Sequence, residues 1–168
     1  ENIRRLDKAE LDFALSNAAI AYFASRGEAK WETKSEIRAV MTMAPNVAYF
    51  ITPANSDVKT MADLKGKRVV VGPAGAGFEH FIEPILKAHG VSYDDFSPIN
   101  ATQQGAVNLL ADGAADAAFL GGGVSTASIT QACSNRDMLF VPFDTTARDQ
   151  LVKDYPFFAP MTVAAEKY

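Results

Sequence analysis

The plainest periodic signal in the chain lies between residues 78 and 90. Phe78, Phe81, Ile82, Ile85 and Leu86 recur at the spacing of one helical face, while Glu79, His80, Glu83 and Lys87 fill the other. The pattern predicts an amphipathic helix, bent at Pro84 and ended by Gly90. Before it stands Arg68-Val-Val-Val-Gly72, a β-branched run of the kind a buried parallel strand uses. The same strand-then-helix alternation returns at 96–100 then 103–111, 116–120 then 126–134, and 138–142 then 145–154. Such alternation predicts a parallel α/β sheet. Upstream, the first residues read as the tail of a helix, 11–15 as a strand, 17–25 as a helix, and 37–43 and 47–52 as two more strands. The polar, turn-rich stretch from 53 to 66 predicts a crossing between domains. Tyr155-Pro156 and Pro160 mark a second break, after which 161–165 reads as a strand.

Composition narrows the class. With 48% hydrophobic and 21% charged residues in 168, the chain can build a core without disulfides or metal, as one domain or one plus part of another. A net charge of -4 offers no basic footprint, which argues against nucleic acid and anionic membranes as partners. The single cysteine, Cys133, has no intrachain partner and reads as a small buried side chain. The longest apolar stretches, 18–24 and 114–120, are far short of the roughly 20 residues a membrane span needs. A start at Glu1, with neither Met nor a signal peptide, reads as a mature or trimmed fragment.

Two glycine-rich corners carry the candidate chemistry. Gly72-Pro-Ala-Gly75-Ala-Gly77-Phe78-Glu79 joins a strand to a helix, where free backbone N–H groups favour an anion. A P-loop would need Lys and Ser or Thr where Phe78 and Glu79 stand, and a dinucleotide fingerprint a small residue where His80 stands. What remains is a structural tight turn or a carboxylate or phosphate cradle. Gly121-Gly122-Gly123-Val124-Ser125-Thr126-Ala127 resembles a nucleophile elbow, but both histidines, His80 and His89, lie upstream of the serine that would need one. A capped connection or a second binding loop fits better. His80 and His89, nine apart, fall on nearly opposite helical faces and cannot share a metal. Among the aromatics, Tyr49 and Phe158 stand beside the two expected crossings and are candidates to line a cleft.

Six segments in order resemble the TAXI family, the solute-binding receptors of tripartite ATP-independent periplasmic (TRAP) transporters. They are Leu11-Asp-Phe-Ala-Leu-Ser16-Asn17, the run from Val58 to Gly72, Gly75-Ala-Gly77-Phe-Glu79, Gly90-Val-Ser-Tyr-Asp-Asp95, Asp112-Gly-Ala-Ala-Asp-Ala117 and Tyr155-Pro-Phe-Phe-Ala-Pro160. The resemblance implies a two-lobed α/β architecture of the type II periplasmic-binding-protein kind, closing on a small ligand, often a carboxylate such as glutamate. Lobe one would be partial (1–53), lobe two complete (54–155), and 156–168 a crossing back. It also implies a ligand set of Ser16 and Asn17; Gly75, Ala76, Gly77, Phe78 and Glu79; and Gly122, Gly123, Val124 and Ser125, with Tyr49 added as the cleft aromatic. Ala76 and Phe78 replace the family's usual hydroxyl residues and Ser125 its proline, so ligand identity does not transfer.

The reading is a monomeric periplasmic receptor without catalytic activity, cofactor or metal, which binds a small organic anion and hands it to TRAP membrane subunits. An α/β enzyme acting on a phosphorylated small molecule, or the ligand-sensing domain of a regulator, are the alternatives.

Overall fold

The computed structural model describes the backbone of residues 1–168 and every side chain except that of Ala165. Five strands, β1 (Val47–Pro53), β2 (Arg68–Val70), β3 (Ser97–Ile99), β4 (Ala117–Gly122) and β5 (Met138–Phe140), form one sheet in the order β3-β2-β4-β1-β5. β2 is parallel to β3 and β4, whereas β1 runs antiparallel to both β4 and β5. The sheet is therefore mixed, not wholly parallel as the alternation predicts. β1 is an interior strand between β4 and β5, with Phe50 1% and Ile51 0% exposed, and the apolar run of a buried strand reads the same in either direction.

Helices cover both faces. On one face α3 (Glu79–Ala88) and α6 (Thr145–Asp154) bury Phe81, Ile82, Ile85 and Leu151 against Phe50, Val69 and Phe119. On the other, α4 (Gln103–Ala111) and α5 (Ala127–Asn135) bury Val107, Leu110 and Ile129 against Tyr49, Ile51, Val70 and Leu120. Tyr49, Phe50 and Ile51 thus alternate between the two cores, as the period-two geometry of a strand requires. Each large apolar side chain withdrawn from water in this way contributes about 1.5–3 kcal/mol. α1 (Asn2–Asp7) and α2 (Ala18–Arg26) form a smaller cluster of Ile3, Phe23, Ala24 and Trp31 beside α3. Asn17 caps α2 by accepting from Ala19 N–H, and Gly27, at φ +66°, closes it in the left-handed conformation.

Three expected strands do not form. Residues 11–15, 37–43 and 161–164 run without regular structure, and a 3₁₀ turn follows at Ala165–Lys167. Phe13, Leu15, Val40, Met41 and Met43 are 68–75% exposed. Their apolar residues suit strands, but a strand needs a neighbouring edge to satisfy its backbone groups. Among the described residues no sheet neighbour is supplied to them. The stretch 53–66 is also not a departure from the sheet. It links β1 to β2 within it, through a 3₁₀ turn at Met61–Leu64, and Val58, Met61 and Leu64 join the same core. The chain therefore enters this sheet at Val47, upstream of the crossing expected after residue 53.

Candidate functional site

Because β2, β3 and β4 run parallel, the corners that follow them open at one edge of the sheet. These corners are residues 71–78, 100–102 and 123–126. They lead into the N-termini of α3, α4 and α5, and ligands of open α/β sheets bind at that edge. Three hydrogen bonds tie the corners together. Asn100 Nδ2 and the N–H of Ala101 both donate to the Gly72 carbonyl, at 3.0 and 3.3 Å. Gln103 Nε2 donates to the Gly121 carbonyl at 2.7 Å.

In the first corner Gly75 and Ala76 are exposed, and nothing lies within 4 Å of a Cβ built on Gly75. Gly77 instead abuts α2, where a Cβ would stand 3.1 Å from Ile20 Cδ1. Phe78 folds back over the strand end. Its ring would meet a Cβ on Gly72 at 2.9 Å, and it packs on Phe81 and Phe119 with centroids 5.3 and 6.1 Å away. Its contacts are with the core beneath the loop. Glu79, in the first turn of α3, pairs with Lys30 at 2.8 Å. Burial is the largest influence on the Glu79 carboxylate and works against it, but the hydrogen bond from Lys30, a backbone N–H bond and the Lys30 and His80 charges together outweigh it and hold the pKa below the ordinary value. The N-terminus of α3 therefore already carries a carboxylate.

The second corner is different. Gly123, Val124 and Ser125 are exposed, Gly122 is half-buried, and α5 has no acidic residue in its first turn and no side-chain cap. Thr126 Oγ1 donates at 2.6 Å to Gly123 O inside the loop, and the Thr126 N–H donates to the Tyr168 hydroxyl at 3.2 Å. Tyr168 in turn donates to the Tyr49 hydroxyl at 3.3 Å. Tyr49 is 7% exposed, and burial, followed by this bond, pushes its pKa upward.

The structure thus brings the two glycine corners to one edge and leaves the other expected residues less directly placed. Asn17 spends its side chain on capping α2, and exposed Ser16 donates to Asn17 O. Ile20, one turn further on, is the α2 residue that reaches Gly77. Tyr49 lies beneath the β4 end of the second corner, paired with Leu120. Phe158 packs on Phe157 at 4.7 Å and on Tyr155.

Both nitrogens of His89 are engaged. Nδ1 lies 2.7 Å from Ile85 O, which can only accept, and Nε2 accepts from the Asp144 N–H at 3.1 Å. That fixes the Nδ1–H tautomer and leaves His89 no role as a base. His80 is half-buried beside the Phe23 ring, not on a solvated face, and burial lowers its pKa. Cys133 is half-buried, and burial raises its thiol pKa. A shallow depression of about 270 Å³ lies at the opposite edge of the sheet, bordered by Pro53, Asp57, Lys67, Asp116 and Arg136. Two of its four charged groups are committed, Asp116 to Arg68 and Arg136 to Leu110 O.

A model of the NMT1-like family matches residues 1–168. The chain belongs to the NMT1-like family. Among solved structures, this NMT1-like chain is similar to the alkanesulfonate-binding protein SsuA from Xanthomonas axonopodis pv. citri bound to MOPS. Identity there is 23%, over 56% of this chain and 31% of that one, with a TM-score of 0.47. It is also similar to the periplasmic aliphatic sulphonate binding protein SsuA from Escherichia coli, at 20% identity over 57% and 34%, with a TM-score of 0.45. A binding protein component of an ABC phosphonate transporter from Pseudomonas aeruginosa matches at 14% identity over 64% and 43%, with a TM-score of 0.44. The matched region spans about a third of the length of the two sulfonate-binding proteins.

Sequence reasoning missed Asn100, Gln103 and Lys30. Asn100 and Gln103 stand at the end of a predicted strand and the start of a predicted helix, at the edge where open sheets bind ligands. That position was the available signal. Lys30 meets Glu79 only through packing of the α2 region on α3, which no local pattern announces.

Proposed function

We propose that this chain is part of a periplasmic solute-binding receptor that captures a small organic anion through backbone donors and passes it to membrane subunits of a transporter. The observation that carries the reading is the opening of both glycine-rich corners at one sheet edge, with exposed tips made only of Ala, Gly, Val and Ser. Such tips let a ligand come close to peptide N–H groups. Membership of the NMT1-like family supports the same reading. Of the two corners, the second is the better seat for an anion, because its helix brings no carboxylate of its own. Gly75, Ala76, Gly122, Gly123, Val124 and Ser125 are the contacting residues in this account. Ser16, Asn17 and Tyr49 act behind them.

In the same account the sheet and its four flanking helices are lobe two, and residues upstream of β1 belong with lobe one. The crossing is the exposed segment before Val47, and 156–168 is the return. The six TAXI-like segments favour a TRAP transporter as the partner and a carboxylate as the ligand, an amino acid such as glutamate among the candidates. A thermal-shift screen of the full-length protein tests this. A ligand present at about 100 times its dissociation constant stabilises by roughly 2.7 kcal/mol. Carboxylates or sulfonates are expected to raise the melting temperature; a screen in which only sugars or amines do so overturns the proposal.

A further inference from the structure

The second glycine corner has one side-chain tie of its own and no side-chain cap on the helix that follows. Thr126 bonds back into the loop at Gly123 O and does not cap α5. From outside, the Tyr168 hydroxyl accepts from the Thr126 N–H at 3.2 Å, and one further side chain grips both ends of the loop. Gln103, the first residue of α4, donates from Nε2 to Gly121 O at 2.7 Å on the strand side. Its Oε1 accepts from Ser128 Oγ at 3.1 Å on the helix side. Ser128 is only 9% exposed, so this bond is sheltered from water.

The chemistry of the grip is specific to a carboxamide. Gly121 O can only accept, so its partner must donate, while the Ser128 hydroxyl donates to an acceptor on the same side chain. Glutamate keeps the acceptor but would turn a carboxylate oxygen toward the Gly121 carbonyl. Asparagine is one C–C bond, about 1.5 Å, too short to span both. Methionine fills the volume with neither polar group. Three residues earlier in the same corner, Asn100 holds Gly72 O at the end of β2. The β3–α4 corner therefore touches both glycine corners and braces one against the other.

We infer that Gln103 is the positioning residue of the ligand site, holding the β4–α5 loop in register with the sheet so that its backbone donors are preorganised. Gln103 does not itself contact ligand in this account. The inference rests on the receptor reading for what the loop binds, but not for the brace.

The test has two arms. In wild-type protein, NMR should show one Gln103 side-chain amide proton slowed in exchange and shifted by its bond to Gly121. In Gln103→Met and Gln103→Glu, amide exchange at 122–128 should accelerate about tenfold, while β1, β2 and the body of α4 keep their protection. A freely exchanging Gln103 amide in the wild type overturns the inference, as does exchange in both variants that is unchanged or raised evenly across the sheet. In the second arm, full-length wild type and Gln103→Glu are titrated calorimetrically with L-glutamate and with MOPS. The variant should weaken whichever probe binds by tenfold or more; equal affinities overturn the inference. If neither probe binds the wild type, the failure belongs to the ligand class in the receptor reading, and the exchange arm still decides the brace.

Discussion

Replacing Gly72 by alanine tests the construction of the first glycine corner most sharply. Gly72 is buried with φ +91°, and a Cβ there would stand 2.9 Å from Phe78 Cγ. The left-handed backbone costs a non-glycine residue about 1–2 kcal/mol. Forcing the ring away from a contact about 0.6–1 Å too short costs about 1–3 kcal/mol more. Reduced freedom of the unfolded chain returns about 0.4–1 kcal/mol. The net expectation is a loss of about 1–4.5 kcal/mol. Gly75→Ala is the control: at φ +72° with nothing within 4 Å, it bears only the backbone cost, a net of about 0–1.5 kcal/mol. Urea unfolding at equilibrium reads both. The clash is isolated by a double-mutant cycle, because truncating the ring in Phe78→Ala makes room for the Gly72→Ala methyl. The pair should be less destabilised than the sum of the singles by about 1–3 kcal/mol. Additive losses, or a Gly72→Ala cost no larger than that of Gly75→Ala, would refute the claim that Phe78 packs down on the strand end.

Phe78→Thr should lower the melting temperature yet rank ligands in the wild-type order, since the ring packs on Phe81 and Phe119; a changed order in a thermal-shift panel would put the ring in the cleft. Thr52→Val should cost about 1–3 kcal/mol by urea unfolding, because this fully buried hydroxyl donates to Asp116 O at 2.7 Å and its loss strands a carbonyl. Asp116 accepts from the backbone and side chain of Arg68, and that side-chain bond holds its carboxyl below the ordinary range. A depressed folded pKa gives stability that is present above the unfolded value near 4 and lost as pH falls through the folded one. Asp116→Asn should therefore be less stable than wild type at pH 7 and show a shallower acid limb between about pH 5 and 2; identical pH profiles would contradict the pairing.

The helices were legible because their apolar residues recur locally. Phe81, Ile82 and Ile85 mark the buried face of α3, and the predicted bounds of α4 and α6 agree with the observed ones. The direction of β1 was not legible. Its run of Tyr49, Phe50 and Ile51 signals burial on both faces, but which neighbours it joins is decided by β4 and β5, some 70 to 90 residues later. Residues 11–15 and 37–43 misled for the opposite reason: their composition suits a strand, while pairing depends on partners absent from this sheet. At the site, the two glycine corners were visible as sequence. The spending of Glu79 on Lys30, of Tyr49 on Tyr168 and of Gln103 on Gly121 and Ser128 was not, because each bond joins residues 18 or more positions apart.

The central claim, that an organic anion is held by backbone donors at the glycine corners, is tested most directly by a crystal structure of the full-length protein carrying the ligand that persists through native purification. The account predicts a small anion within hydrogen-bonding distance of peptide N–H groups in 75–77 or 123–128, with Gln103 still bonded to Gly121 and Ser128. A ligand seated instead in the depression beside Pro53, Lys67 and Arg136, or a cationic ligand held by side-chain carboxylates, would contradict it.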